Sequence, residues 1–141
     1  MNRAVTPPGI APPAARYAHA VVSEGGGRLL HTSGVVPVTP DGTVPEDLGE
    51  QAALVWSNLA AILADAGMAL SDIVSVTTYV VVGNPLGPVM AARDAAFGGH
   101  LAASTLVTVP ALARPEWLME VAIVAVGVSP GRNRDPSRSA G

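Results

Sequence analysis

Some residue types are missing from this chain, and each absence removes a kind of chemistry. Cysteine is absent, which excludes a thiol nucleophile, a disulfide framework and a thiolate metal site. Lysine is absent as well, since all eight basic residues are arginine. That excludes a Schiff-base lysine and a phosphate-loop lysine. Charge is sparse: Asp, Glu, Lys and Arg together make up 13% of the chain, against roughly 25% in an ordinary globular protein. Aromatic residues contribute only 4%, and Trp56 and Trp117 read as packing anchors rather than stacking platforms for bases. Any reaction here falls to hydroxyls, carboxylates, arginine, histidine or the backbone.

What remains is an apolar chain of one domain's length, 141 residues with 49% hydrophobic. Its formal net charge is −3, which argues against a nucleic-acid partner held by phosphate neutralisation. Residues 129–141 carry three Arg and one Asp, so residues 1–128 hold a net charge of −5. No membrane span is expected: the apolar run from Leu118 to Val128 is interrupted by Glu120 and falls far short of the ~20 residues a spanning helix needs. The first residues carry Pro7, Pro8, Pro12 and Pro13 where a signal peptide needs an unbroken apolar run. The expected location is cytoplasmic.

Residues 1–15 read as a Pro-rich lead-in, unable to form a helix or a central strand. Residues 16–128 read as the folded domain, with periodic structure starting at Tyr17, and residues 129–141 as a disordered tail. Tyr17–Ser23 and Arg28–Ser33 suit two strands joined by a glycine hairpin loop, Glu24-Gly25-Gly26-Gly27. No helix follows those glycines, so they are not a phosphate loop. Val35–Val38 is a short extended segment. A helix is predicted over Asp47–Ala66, with Asp47 as N-cap, Glu50 three residues on, and Gly67 just past the end. Its apolar stripe is Leu48, Val55, Leu59, Ile62, Leu63 and Ala66. In the strand Ile73–Val82, alternation places Val74, Val76, Val80 and Val82 on one face and Ser75, Thr77 and Tyr79 on the other. A shorter helix follows at Val89–Phe97, then strands at Ser104–Val109 and Leu118–Val128. The expected order is β-β-α-β-α-β-β, an α+β single sheet with two helices on one face. The hydroxylic opposite face calls for another subunit as cover.

Glu120 stands within Leu118–Val126, a run buried on both sides if its strand is central. Burial would raise its pKa toward the range a general acid or base uses. A strand-end carboxylate reaching solvent or a neighbouring subunit's Arg accounts for it equally well. His19, His31 and His100 match no zinc spacing. His19 and His31 lie on strands that can pair, while ordinary surface or partly buried histidines also explain them. Ser33 lacks the surroundings of a nucleophile elbow. Ser33-Gly34 marks instead a close backbone approach to another chain or a ligand, and Ser104-Thr105 places two hydroxyls at a strand start.

Several segments together resemble one family. Leu30-His31-Thr32-Ser33-Gly34-Val35-Val36-Pro37-Val38 resembles the TSGQ-[IV]-P segment of the Rid (reactive intermediate deaminase, YjgF-type) proteins. The helix carrying Gln51, Asn58-Leu59 and Ala66-Gly67 is similar too, as is Ser71–Val80. So are Ala103–Val109, Leu112 and Leu118-Met119-Glu120-Val121, and the likeness runs in order over roughly residues 15–128. It implies a chorismate-mutase-like fold, a homotrimer whose sheets surround a central barrel, and small-molecule clefts between subunits. The implied activity is hydrolysis of reactive enamines or imines to 2-keto acids and ammonia, without metal or organic cofactor. In it a water polarised by a backbone carbonyl or the Glu attacks the imine carbon, and an Arg holds the substrate carboxylate.

Carried over residue by residue, Tyr17, Ser33, Gly34 and Glu120 match cleft positions of that family, with Glu120 in the catalytic role. The carboxylate-binding Arg does not carry over, because Ser104 stands at its place. The Gln after Ser-Gly becomes Val35, and the usual Asn of the second helix becomes Met90. Ser104, Thr105 and Leu106 with Val35 and Met90 then form the substrate-binding set of a more apolar cleft. Losing a bidentate charged contact removes about 1.5–3 kcal/mol of binding. The expected substrate is therefore a larger, less acidic molecule than a simple 2-imino acid, with Arg114 either leaning in as a substitute or exposed to solvent. Two other readings stand beside this one. In the first, a non-catalytic trimer binds a metabolite or partner protein in the same clefts. The second, an endoribonuclease, fits poorly with an acidic chain lacking lysine.

Overall fold

The computed structural model describes residues 2–13, 19–24 and 27–128. Tyr17 and the expected tail, residues 129–141, lie outside them. The element order is β1 (Asn2–Val5), β2 (Ala20–Glu24), β3 (Arg28–Thr32), α1 (Leu48–Asp65), β4 (Ile73–Val81), α2 (Gly87–Phe97), β5 (Ala103–Val109) and β6 (Met119–Gly127). The strands form one six-stranded sheet in the order β1-β2-β3-β6-β4-β5. β4 and β5 run parallel, joined by the α2 crossover, and every other neighbouring pair is antiparallel.

β1 corrects the expectation that periodic structure starts at Tyr17. Asn2–Val5 pairs antiparallel with β2 at the outer edge of the sheet. An edge position, ending before Pro7, is compatible with the proline content that excludes a central strand. Val35–Val38 is not a strand; Val35 alone bridges Val121.

Helix α1 forms as its sequence dictates. Asp47 caps it by accepting from the Glu50 backbone N–H at 3.0 Å, and Gly67 follows with φ +71°. The guanidinium of Arg28, itself buried, donates from Nη2 to the Ala66 carbonyl at the end of the helix. It thereby ties β3 to α1 and places a cation where the helix dipole is negative. Leu48, Ala52, Val55, Leu59, Ile62 and Leu63 are buried on the sheet. They share one core with Leu30, Val76, Val80, Met119, Val121, Ile123 and Ala125. Trp56 joins this core and meets Phe97 of α2 edge-on at 5.1 Å, the anchoring role expected of it.

In β4 the expected alternation fails at its start. Ile73 is buried and Val74 is 46% exposed, because a register irregularity between Ile73 and Ser75 shifts the phase by one residue. Beyond it Val76, Thr78 and Val80 point into the core while Ser75, Thr77 and Tyr79 are half-buried on the opposite face. Val124 and Val126 of β6 and Thr105 and Val107 of β5 share that face by register, and Val126 and Val107 are exposed. Among the described residues no helix is long and apolar enough to cross a membrane.

Candidate functional site

The site is built where β3 leaves β6. Their ladder runs to His31↔Val124. The next β6 N–H, that of Ile123, is then taken by the Thr32 hydroxyl at 2.9 Å. The chain rejoins β6 at Val35, whose N–H donates to the Val121 carbonyl at 2.7 Å and whose carbonyl accepts from Val121 at 3.1 Å. Ser33 and Gly34 form the excursion between, with Ser33 N–H held on the His19 carbonyl at 2.9 Å.

The Glu120 side chain fills the space this excursion leaves. A β-carbon placed on Gly34 would lie 2.5 Å from Glu120 Oε1 and 2.8 Å from its Cδ. Gly34 is therefore required by close approach of a carboxylate to backbone. Glu120 is half-buried on the central strand, paired with Tyr79 on the face away from the helices. Burial pushes its carboxyl above the ordinary carboxylate pKa.

That direction fixes a pH dependence. The folded chain holds the Glu120 proton more tightly than the unfolded chain, so stability falls as pH climbs from about 4.3, the unperturbed value, to the raised folded value. Glu120→Gln removes this slope. The stability of the variant minus that of the original protein is expected to grow with pH across the window and to be constant above it. Urea midpoints measured from pH 4 to 8 at one protein concentration check this, and parallel curves would refute it.

Gly34 and Val35 also line a cavity of about 300 Å³. Ile10, Val36, Val38 and Val44 give it apolar walls, and His19, Asn58 and Trp117 stand in its lining. Asn58 is spent on structure, since its amide donates to the carbonyls of Val36 at 3.3 Å and Val38 at 3.2 Å. His19 is buried, and desolvation lowers its pKa, favouring the neutral ring. His31 is exposed on β3, so the two histidines occupy different surroundings. His100 Nε2 donates to the Ile73 carbonyl at 2.7 Å and is structural. Trp117, expected as a packing anchor, is also cavity wall, with the Arg114 guanidinium 5.5 Å over its ring. Arg114, Asp41 and Glu116 supply the charged part of the lining. Among the described residues, no group of three or more His, Cys, Asp or Glu is placed to hold a metal.

The remaining expected residues lie elsewhere. Ser104 pairs with Val76, so it shares the helix-side face of the sheet, opposite to that of Glu120, with β4 intervening. Leu106 is half-buried on the same side, Thr105 is exposed on the other, and Met90 is 44% exposed on α2. One chain therefore brings Glu120, Gly34 and Val35 together but not Ser104, Leu106 or Met90. A contact that sequence reasoning missed is Arg93 of α2. Its Nη1 lies 3.4 Å from Ser104 Oγ while Nε and Nη2 both donate to Asp94 Oδ1. The cavity was also missed, being made by residues 10–12 closing on loops far away in the chain.

This geometry has counterparts of known family. The chain matches the family model described as Endoribonuclease L-PSP over residues 9–127. It is 34% identical over 103 residues to the 2-iminobutanoate/2-iminopropanoate deaminase of Escherichia coli K12, covering 72% of this chain and 80% of that protein. The crystal structure of the Escherichia coli YjgF gene product superposes with a TM-score of 0.79 at 30% identity, covering 88% and 98% of the two chains. A conserved Rid-family protein from Yersinia pestis gives a TM-score of 0.81 at 27% identity over 91% and 100%. An α+β sheet carrying two helices on one face, a Ser-Gly excursion packed on a strand carboxylate, and these matches along nearly the whole domain lead to one conclusion: the chain belongs to the Endoribonuclease L-PSP family, the Rid (YjgF-type) proteins.

Proposed function

We propose that this chain is a Rid-type hydrolase that deaminates a reactive enamine or imine in clefts between the copies of a homotrimer. The observation that carries the reading is the half-buried Glu120 carboxylate seated on Gly34, a glycine that also lines the neighbouring cavity. A carboxyl of raised pKa exchanges a proton near neutrality more readily than an ordinary one. Water adds to the imine carbon, its proton passing through Glu120, to give a carbinolamine. Return of a proton to the nitrogen expels ammonia and leaves the carbonyl product. The Gly34 backbone and Tyr17 orient the substrate, and no metal or organic cofactor is needed.

The same geometry supports a homotrimer. Ser104, Thr105, Leu106 and Met90 serve the cleft only if a neighbouring copy presents them to Glu120, since one chain keeps them apart. The exposed Val107 and Val126 on the face away from the helices support burial against such a neighbour.

The substrate differs from those named for the Escherichia coli relative. Ser104 stands where the resembling deaminases carry their carboxylate-binding Arg, and Val35 and Met90 replace polar cleft residues. A reactive imine without a neighbouring carboxylate is the better fit. Ammonia release can be followed with two sources of imine: 2-aminoacrylate from a dehydratase, and the benzylamine-derived imine from an amine oxidase. Acceleration over buffer is expected with the second and little with the first. Absence of acceleration with both would favour a second reading, in which the trimer only binds a metabolite or partner in these clefts, a reading supported by the same loss of polar cleft residues.

A further inference from the structure

The cavity beside Gly34 contains one guanidinium whose placement the reaction above does not use. Arg114 sits in the loop between β5 and β6 with its Cζ 5.5 Å from the centre of the Trp117 ring. Among the described residues it has no ion-pair or hydrogen-bond partner for its side chain. The other described arginines are placed differently. Arg28 is buried against the end of α1, Arg93 is held by Asp94, and Arg3 is exposed on the edge strand. Arg114 is itself exposed, and alone of these it combines a ring contact, unused donors and a place in the cavity lining.

From this we infer that Arg114 is the anion-recognising residue of the site, and that the molecule it accepts is a carboxylate with an apolar body. The inference rests on the proposed function for the reaction but concerns binding. The Trp117 face holds the guanidinium by cation–π attraction and leaves its planar edge available for a bidentate pair with a carboxylate. Besides Arg114 and Gly34, the lining includes the aliphatic Val35, Val36 and Val38. The same lining thus offers a guanidinium for an anionic group and aliphatic wall for the body attached to it.

Two carboxylates share the lining, and they define the kind of recognition. The Asp41 carboxyl is engaged in its own turn by the Thr39 hydroxyl and the Thr43 N–H and is held at a pKa of about 2. It remains charged without pairing to Arg114. Glu116 is exposed. The cavity thus has no net positive charge, and Arg114 discriminates by directed hydrogen bonds rather than by a long-range field.

The test is a titration with hexanoate and with hexanamide, its uncharged isostere, in the full chain. The indole N–H resonance of Trp117 reports binding, and that of Trp56, buried in the core, reports intact folding. Hexanoate is expected to bind about tenfold more tightly than hexanamide. Arg114→Gln should abolish that preference while leaving hexanamide binding unchanged. Glu116→Gln should strengthen hexanoate binding about twofold to threefold by removing a competing charge. Equal affinity for the acid and the amide in the original protein, or an undiminished preference in Arg114→Gln with the Trp56 resonance in place, would overturn the assignment. Turnover is not measured, so failure of the hydrolase reading and failure of this one are separable.

Discussion

Replacing Glu120 with Gln is expected to reduce imine hydrolysis by about 100-fold or more, because general acid–base transfer contributes typically 10²- to 10⁴-fold. The substitution keeps the shape of the side chain against Gly34 and removes its capacity to carry a proton. It also removes an ionisable group whose charged form burial opposes, so folding stability at neutral pH should hold or rise. That pairing of lost turnover with undiminished stability separates a catalytic role from a structural one. Gly34→Ala makes the complementary change. A β-carbon 2.5 Å from Oε1 must displace the carboxylate, lowering the rate while Glu120 is still present. Ammonia release and urea midpoints on the same preparations check both. Activity of Glu120→Gln within threefold of the original would sink the proposed mechanism.

The largest effect on stability is expected at Gln51. It is 1% exposed on α1, and its amide is fully used. Nε2 donates to the carbonyls of Pro45 at 2.7 Å and Glu116 at 2.9 Å, and Oε1 accepts from the Leu118 N–H at 3.0 Å. Gln51→Leu preserves approximate volume but strands three backbone groups. Each buried group left unpaired costs about 1–3 kcal/mol, so with partial relaxation a loss of about 3–5 kcal/mol is expected, a large part of a typical total of about 5–15 kcal/mol. Gln51→Glu retains only the acceptor and sets a carboxylate against two carbonyls, and should be no better. The urea midpoint measures the loss, and a change below about 1 kcal/mol would refute it. The same bonds hold the segment bearing Arg114 and Trp117, so Gln51 variants that remain folded should also lose the acid-over-amide preference.

Local features of this fold were legible in the sequence, and long-range ones were not. Asp47, Glu50 and Gly67 announce the ends of α1 because capping is a matter of residues within one turn. The Ser33-Gly34 excursion carries its signal in the glycine, which only a close approach explains. Val74 escaped because a period-2 pattern contains no mark of a bulge. Nothing at Asn2–Val5 shows that the chain returns to the edge of β2. The cavity and the Gln51 tethers join segments distant in the chain, where side-chain type alone does not name a partner. Glu120 was visible as a charge in an apolar run, whereas its place beside Tyr79 and against Gly34 is a matter of register that the run does not carry.

The place of β6 has a consequence for biosynthesis. It is the last of the described strands in chain order, and it stands in the middle of the sheet, between β3 and β4. Until residues 119–127 are available, β1-β2-β3 and β4-β5 are two fragments, each with an open edge where β6 belongs. The Glu120 pocket does not exist before that moment, since its carboxylate arrives with the strand. A nascent chain therefore cannot close this sheet until residue 127 has left the ribosome, and sheet and site appear together.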